Sequence, residues 1–110
     1  MELRHLRYFL AVADTGHITR AAETLGMQQP PLSQQIRALE NSLGCELFVR
    51  HPKGVTLTDT GHMLRAEAGR LLTDFAAMQR RYQSTMLGLI AIEQLTGPVV
   101  AGQALLTAAA

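Results

Sequence analysis

The stretch ITRAAETLGMQQPPLSQQIRALE, residues 18–40, decides how the rest of the chain is read. It predicts two short helices joined by a tight turn, the second exposing a run of amides and hydroxyls. Ala22, Gly26 and Leu32 follow one another at offsets of four and then six residues. The small alanine lets the two helices approach, the glycine supplies a left-handed turn, and the leucine locks the second helix onto the first. Pro30 and Pro31 suit the opening of that second helix, because backbone N–H groups there lack partners anyway. This is the geometry of a helix-turn-helix, whose second helix can enter the major groove of DNA.

Upstream, Leu3, Leu6, Phe9, Leu10 and Ala13 recur at helical spacing, flanked by Tyr8 and Val12, and predict a first helix over residues 2–14 that Gly16 ends. The second helix covers 18–25 and buries Ile18, Ala21, Ala22 and Leu25. The third covers 30–43 and buries Leu32, Ile36, Leu39 and Leu43, with Gly44 as its C-terminal cap. A hairpin follows: 47–50, a turn through His51, Pro52, Lys53 and Gly54, then 55–58, where Val55 and Leu57 alternate with Thr56 and Thr58. The expected fold is mainly α: a winged helix-turn-helix of three helices plus a β-hairpin wing, followed by a long helix. Thr58 is a good N-cap for that helix, with Asp59 in its electropositive first turn.

In the long helix Leu64, Ala68, Leu71, Phe75, Met78, Tyr82 and Met86 step by four, three, four, three, four and four. A seam near a 3.5-residue repeat is the mark of a helix packed along another helix. Packing on its own domain is the alternative, but a helix over 59–87 outreaches a domain of residues 1–58, so dimerisation is the better reading. The expected organisation is therefore a DNA-binding domain over 1–58, a linker or dimerisation helix over 59–87, and an apolar extension over 88–110. In that extension LIAI (89–92) reads as a strand, Gly97-Pro98 as a break, and VVAGQALLTAAA as a short helix or ordered tail. No charge follows Glu93.

Composition excludes more than it suggests. At 110 residues with 47% hydrophobic content, a folded chain is expected rather than a disordered one. No apolar run approaches the roughly 20 residues of a membrane span. The opening MELRHLRYFL carries charge where a signal peptide needs an apolar core, which points to the cytoplasm. The single Cys45 forms no internal disulfide and reads as a small packing residue rather than a redox sensor. Net charge is only +1, and up to Thr58 six cations face five acids. Affinity for phosphate must then come from where the cations point and from doubling in a dimer. His5, His17, His51 and His62 form no metal-ligand spacing with Cys45 or each other. Ser33 and Ser42 lack a nucleophile setting, and no phosphate loop or dinucleotide fingerprint is present. No catalytic residue, metal or cofactor is expected, and the chain is not read as an enzyme.

The order Leu3, Phe9, Ala21-Ala22, Leu25, Gln29-Pro30, Leu32-Ser33, Gln35-Ile36, Leu39-Glu40, Leu43-Gly44, Leu47-Phe48, Arg50, Leu57-Thr58 and Gly61 resembles the N-terminal DNA-binding domain of LysR-type transcriptional regulators. The long helix resembles their linker helix. MELRHLRYF and QPPLS are similar to members that control aromatic-compound catabolism. The resemblance implies regulation of transcription, antiparallel pairing of linker helices, and two recognition helices on an interrupted inverted repeat of double-stranded DNA. It implies a homodimer, or a tetramer in a full-length context. Such proteins continue into an effector-binding domain of periplasmic-binding-protein type, which this sequence does not show. A small-molecule effector is therefore not an expected partner of this truncated chain, nor is a membrane. The rival reading is a truncated interaction module that captures full-length relatives through the linker helix.

Gln29, Pro30, Ser33 and Gln34 stand at the exposed start of the third helix, with Gln28 and Pro31 beside them. Glutamine can pair bidentately with adenine, serine can bond a base or phosphate, and proline offers apolar contact to a thymine methyl. A plain solvated helix face is the alternative. Arg37 reaches a base or phosphate or pairs with nearby carboxylates, and Gln35 leans inward. Gln28 sits where a Ser or Thr cap would be better, a defect worth about 1 kcal/mol unless Gln28 turns to DNA. Thr19 and Arg20 open the second helix, where its positive end and a guanidinium suit a phosphate. Arg50, His51 and Lys53 make the wing the most basic local spot. The resemblance lays that wing on the DNA backbone or minor groove, against a solvated turn as the alternative.

Overall fold

The computed structural model describes residues 1–96, with side-chain surroundings for residues 1–84. The described elements run α1 (Leu3–Thr15), α2 (Ile18–Leu25), α3 (Gln29–Leu43), β1 (Phe48–His51), β2 (Gly54–Leu57) and α4 (Asp59–Thr96). This is the expected winged arrangement of three helices, a two-stranded antiparallel hairpin and a long helix.

Helices α1, α2 and α3 pack on one another, and β2 packs on α1. Phe9, Val12, Leu32 and Leu47 are wholly buried between them, with Ala21, Ala22, Ile36, Leu39, Phe48 and Val55 completing the core. Val12 stands at its centre rather than on its flank. The spacing Leu6, Phe9, Val12 turns those three side chains inward, while Leu10 and Ala13 are only partly covered. The rings of Phe9 and Phe48 meet with centroids 5.2 Å apart, tying the first helix to the root of the wing. Leu43 departs from its expected place and is 40% exposed. It lies in the last turn of α3, and Leu39 is the last buried residue of that helix.

The wing is one residue off the expected bounds at each strand. Phe48 pairs with Leu57 and His51 with Gly54, so the turn is just Pro52 and Lys53. Thr58 caps α4 as expected. Its Oγ1 accepts the Gly61 N–H at 3.0 Å and donates to the Glu46 carbonyl at 2.7 Å. The same residue's N–H donates to the Leu47 carbonyl at 3.0 Å, so one threonine joins α4 to the two residues that lead into β1.

Two compact units divide the chain, the first covering Met1–Leu72 and the second beginning at Thr73. The first unit thus extends past residue 58, because Leu64 packs against the core and Ala68 is buried. Helix α4 also runs through LIAI (89–92), which is helix and not strand. A run of four apolar residues carries no period that separates the two. The Gly97-Pro98 break and the VVAGQALLTAAA segment lie outside the described residues. No helix among the described residues is long and apolar enough to cross a membrane.

Candidate nucleic-acid interface

The turn between α2 and α3 is built as its residues suggest. Gly26 adopts φ 67°, and its N–H bonds the Glu23 carbonyl at 3.2 Å while the Met27 N–H reaches back to Ala22 at 2.9 Å. These bonds take up carbonyls that the end of α2 would otherwise leave open. Leu32 is then carried against Ala21 and Ala22, all three being buried. With α3 anchored by Leu32, Ile36 and Leu39, the opposite side of the helix is determined.

That outward side carries Pro30, Gln34, Arg37, Ala38 and Asn41, all exposed, by the 100° step of the helix. Gln28, Gln29 and Pro31 are exposed at its start, whereas Ser33 and Gln35 are half-buried at its edges. Ala38 and Asn41 are additions that the sequence reading missed. Their signal was the same period that located Leu32 and Ile36. Among the described residues no carboxylate forms an ion pair with Arg37, which is exposed on the outward face.

The expected defect at Gln28 is absent because of the composition of the first turn of α3. Gln28 is the N-cap, with extended backbone and no side-chain capping bond. A capping oxygen accepts from the second or third helical N–H, and those positions are Pro30 and Pro31. Neither has an N–H, so a serine or threonine at Gln28 would find no donor to satisfy. The same fact makes the tip of α3 poor in amide donors and rich in side-chain surface.

Helix α2 starts in the opposite way. His17 is its N-cap and makes no side-chain capping bond, so the amides of Ile18, Thr19 and Arg20 lack helical acceptors. Thr19 and Arg20 are exposed there. The wing docks beside them through the Val55 N–H, which donates to the Gly16 carbonyl at 2.9 Å. Between the two lies an open concavity of about 550 Å³, lined by His17, Ile18, Thr19, Arg50, His51, Pro52, Lys53, Gly54 and Val55. Sequence reading gave the α2 tip and the wing separate positive spots. The structure brings them to one surface.

The wing cations are not alike. His51 and Lys53 are exposed near the hairpin tip. Arg50 is instead drawn toward α3, with its Nη2 3.8 Å from Glu40 Oε1 and its side chain one-third exposed. Glu40 was not among the expected site residues, since a glutamate in a helix looks the same in sequence whether it solvates or clamps.

The seam residues divide at Leu71. In the first unit Leu64 packs on the core and Ala68 is buried within the chain itself. Leu71 is 49% exposed. In the second unit Met78 and Tyr82 are exposed and Phe75 is half-buried, while the side chain of Met86 lies outside those described. Among the described residues, no group of three or more His, Cys, Asp or Glu is placed to hold a metal ion.

Residues 3–62 match the model of the lysR family of bacterial regulatory helix-turn-helix proteins. The transcriptional regulator BudR of Klebsiella aerogenes is 54% identical over 72 residues, covering 66% of this chain and 50% of that protein. XapR of Escherichia coli K12 is 53% identical over 73 residues, covering 66% of this chain and 25% of that regulator. The chain therefore spans half or less of these curated relatives. Among solved structures, the CbnR DNA-binding domain in complex with DNA superposes with a TM-score of 0.74 at 39% identity, covering 76% of this chain and 97% of that one. The BenM DNA-binding domain with benA site 1 DNA gives 0.74 at 43% identity, covering 76% and 94%.

Proposed function

The chain belongs to the lysR family of bacterial regulatory helix-turn-helix proteins, and from that premise we propose that it reads double-stranded DNA as a homodimer and regulates transcription. Helix α3 enters the major groove. Gln29, Pro30, Ser33 and Gln34 address base edges, with Arg37 next in line. Thr19 and Arg20 at the α2 tip, with Arg50, His51 and Lys53 of the wing, hold phosphates and set the register. The observation that carries this reading is the division of labour between the two helix starts. The α2 tip offers open amides to an anion, whereas Pro30 and Pro31 strip the α3 tip of them and leave side chains to meet the bases. Sequence preference should then rest on neutral amides and hydroxyls. Selection of bound duplexes from a random pool tests it: an interrupted inverted repeat is the expected outcome. Recovery of no shared sequence by the folded chain would refute it.

Charge on the wing contributes affinity without preference. Replacing Arg50 and Lys53 together by alanine should weaken binding to a mixed-sequence duplex about tenfold at low salt. It should also flatten the salt dependence by roughly one unit per lost phosphate contact. Fluorescence anisotropy across a salt series measures both. An unchanged slope would mean that the wing stands clear of the DNA.

The homodimer rests on Leu71, Met78 and Tyr82, exposed apolar residues at the heptad-like spacing of a packed helix. Changing Leu71 and Tyr82 to aspartate should convert a two-chain particle into a single chain in sedimentation, with the melting of the first unit unaltered. A single-chain mass for the unaltered protein would overturn the homodimer. Capture of a longer family member by that same face would favour the rival interaction module.

A further inference from the structure

We propose that Glu40 is a positioning residue. It clamps the wing and Arg50 onto the recognition helix, so that α3 and the hairpin meet DNA as one rigid surface. The inference rests on the DNA-binding reading above and adds to it a residue that contacts no base.

The geometry around Glu40 is unusually complete for a helical glutamate. Its main-chain carbonyl accepts the N–H groups of Gly44 at 2.9 Å and Cys45 at 3.1 Å, closing α3. Its Oε2 accepts the Leu47 N–H at 2.8 Å and the Phe48 N–H at 3.4 Å, at the point where β1 begins. Its Oε1 faces Arg50 Nη2 at 3.8 Å, and the side chain is only 13% exposed. One residue therefore holds the end of the recognition helix, the root of the wing and a wing cation. Leu47 and Phe48 are buried, so their amides have no water to replace a lost carboxylate.

Arg50 lies two residues from Phe48 along the strand and so shares its face toward α3, while remaining exposed itself. It lines, with Arg37, Glu40 and Asn41, an open groove of about 760 Å³ between α3 and β1. Arg37 and Asn41 belong to the outward side of α3. Glu40 thus sets where a wing guanidinium stands relative to a recognition-helix guanidinium. At 3.8 Å the pair is loose, which leaves the other guanidinium nitrogens free to meet a phosphate.

Charge alone predicts the opposite effect, and this makes the proposal testable. A carboxylate beside a phosphate-binding groove repels DNA, so its removal should strengthen binding if it does nothing else. Glu40→Ala should instead weaken binding to a labelled mixed-sequence duplex about tenfold. In an Arg50→Ala, Lys53→Ala background the same change should cost less than about twofold, because the wing contacts it positions are already gone. Glu40→Gln keeps an oxygen acceptor for the Leu47 N–H and should restore most of the affinity. In the absence of DNA, amide exchange at Leu47 and Phe48 should quicken in Glu40→Ala and stay slow in Glu40→Gln. If the alanine variant does not fold, the glutamine variant carries the same cycle, with a smaller loss that again vanishes in the doubly substituted background. Tighter binding in either variant, or an equal loss in both backgrounds, would overturn the positioning role. Protected amides with no duplex bound by the unaltered chain would instead defeat the DNA-binding reading and, with it, the purpose assigned to the clamp.

Discussion

Phe9→Ala should lower the free energy of unfolding by about 3–5 kcal/mol, the cost of emptying an aromatic site in a packed core. Phe9 has no exposed surface, and its ring rests on Phe48. The hole cannot be filled from one side only, since α2, α3 and the hairpin all close around it. A small domain holds roughly 5–15 kcal/mol in total, so this single change consumes much of its margin. At roughly 4–8 °C per kcal/mol for a domain of this size, the melting temperature should drop by about 20 °C. Thermal denaturation followed by far-ultraviolet circular dichroism measures it. A drop of only a few degrees would show that α1 and the wing do not share one core. DNA binding at growth temperature should fail along with the fold, although Phe9 lies far from any outward surface.

Gly54→Ala should cost about 2–5 kcal/mol, combining backbone strain with a steric collision. Gly54 sits at φ 142°, where residues with a side chain rarely go. A Cβ there would run into the Gly16 carbonyl and press on the His17 ring at 3.0 Å. That carbonyl already accepts the Val55 N–H, so it cannot retreat without releasing the wing. The variant should melt about 10 °C or more below the parent, with rapid exchange of the Val55 amide. It should also lose the contribution of Lys53 to the salt slope, because the hairpin no longer lies beside the α2 tip. A variant with parental melting and a slow Val55 amide would remove the close approach of Gly54 and Gly16 from the account of the wing.

Both predictions concern contacts between residues distant in sequence, and that is where sequence reasoning ran out. The helices were legible because their rules are short-range. Gly16, Gly26 and Gly44 end them, Thr58 begins α4, and the spacing of Leu32, Ile36 and Leu39 selects the buried side of α3. The same spacing over-reached at Leu43, because a period says which way a side chain points and not how far the neighbouring helices extend. At Ala68 the spacing meets the converse situation. A seam that reads as continuous is partly taken up by the protomer's own core. At Gln28 the N-cap residue alone does not decide the cap, because the two prolines in the first turn remove the donors a serine or threonine would serve.

The family was legible as a resemblance that the match over residues 3–62 bears out. The fold was determined by the sequence by itself, since it follows from local turn chemistry and hydrophobic spacing. The choice of the outward residues of α3 also follows from it, once Leu32 and Ile36 are known to be inward. Tertiary structure alone decided how the wing is held. Glu40 grips Leu47, Phe48 and Arg50, and Gly54 lies against Gly16 and His17, through distances of 7 to 38 positions along the chain. A carboxylate or a glycine carries no sequence mark of the partner it will meet. The partner is chosen by the packing of Phe9 against Phe48, which brings the root of the wing within reach of both.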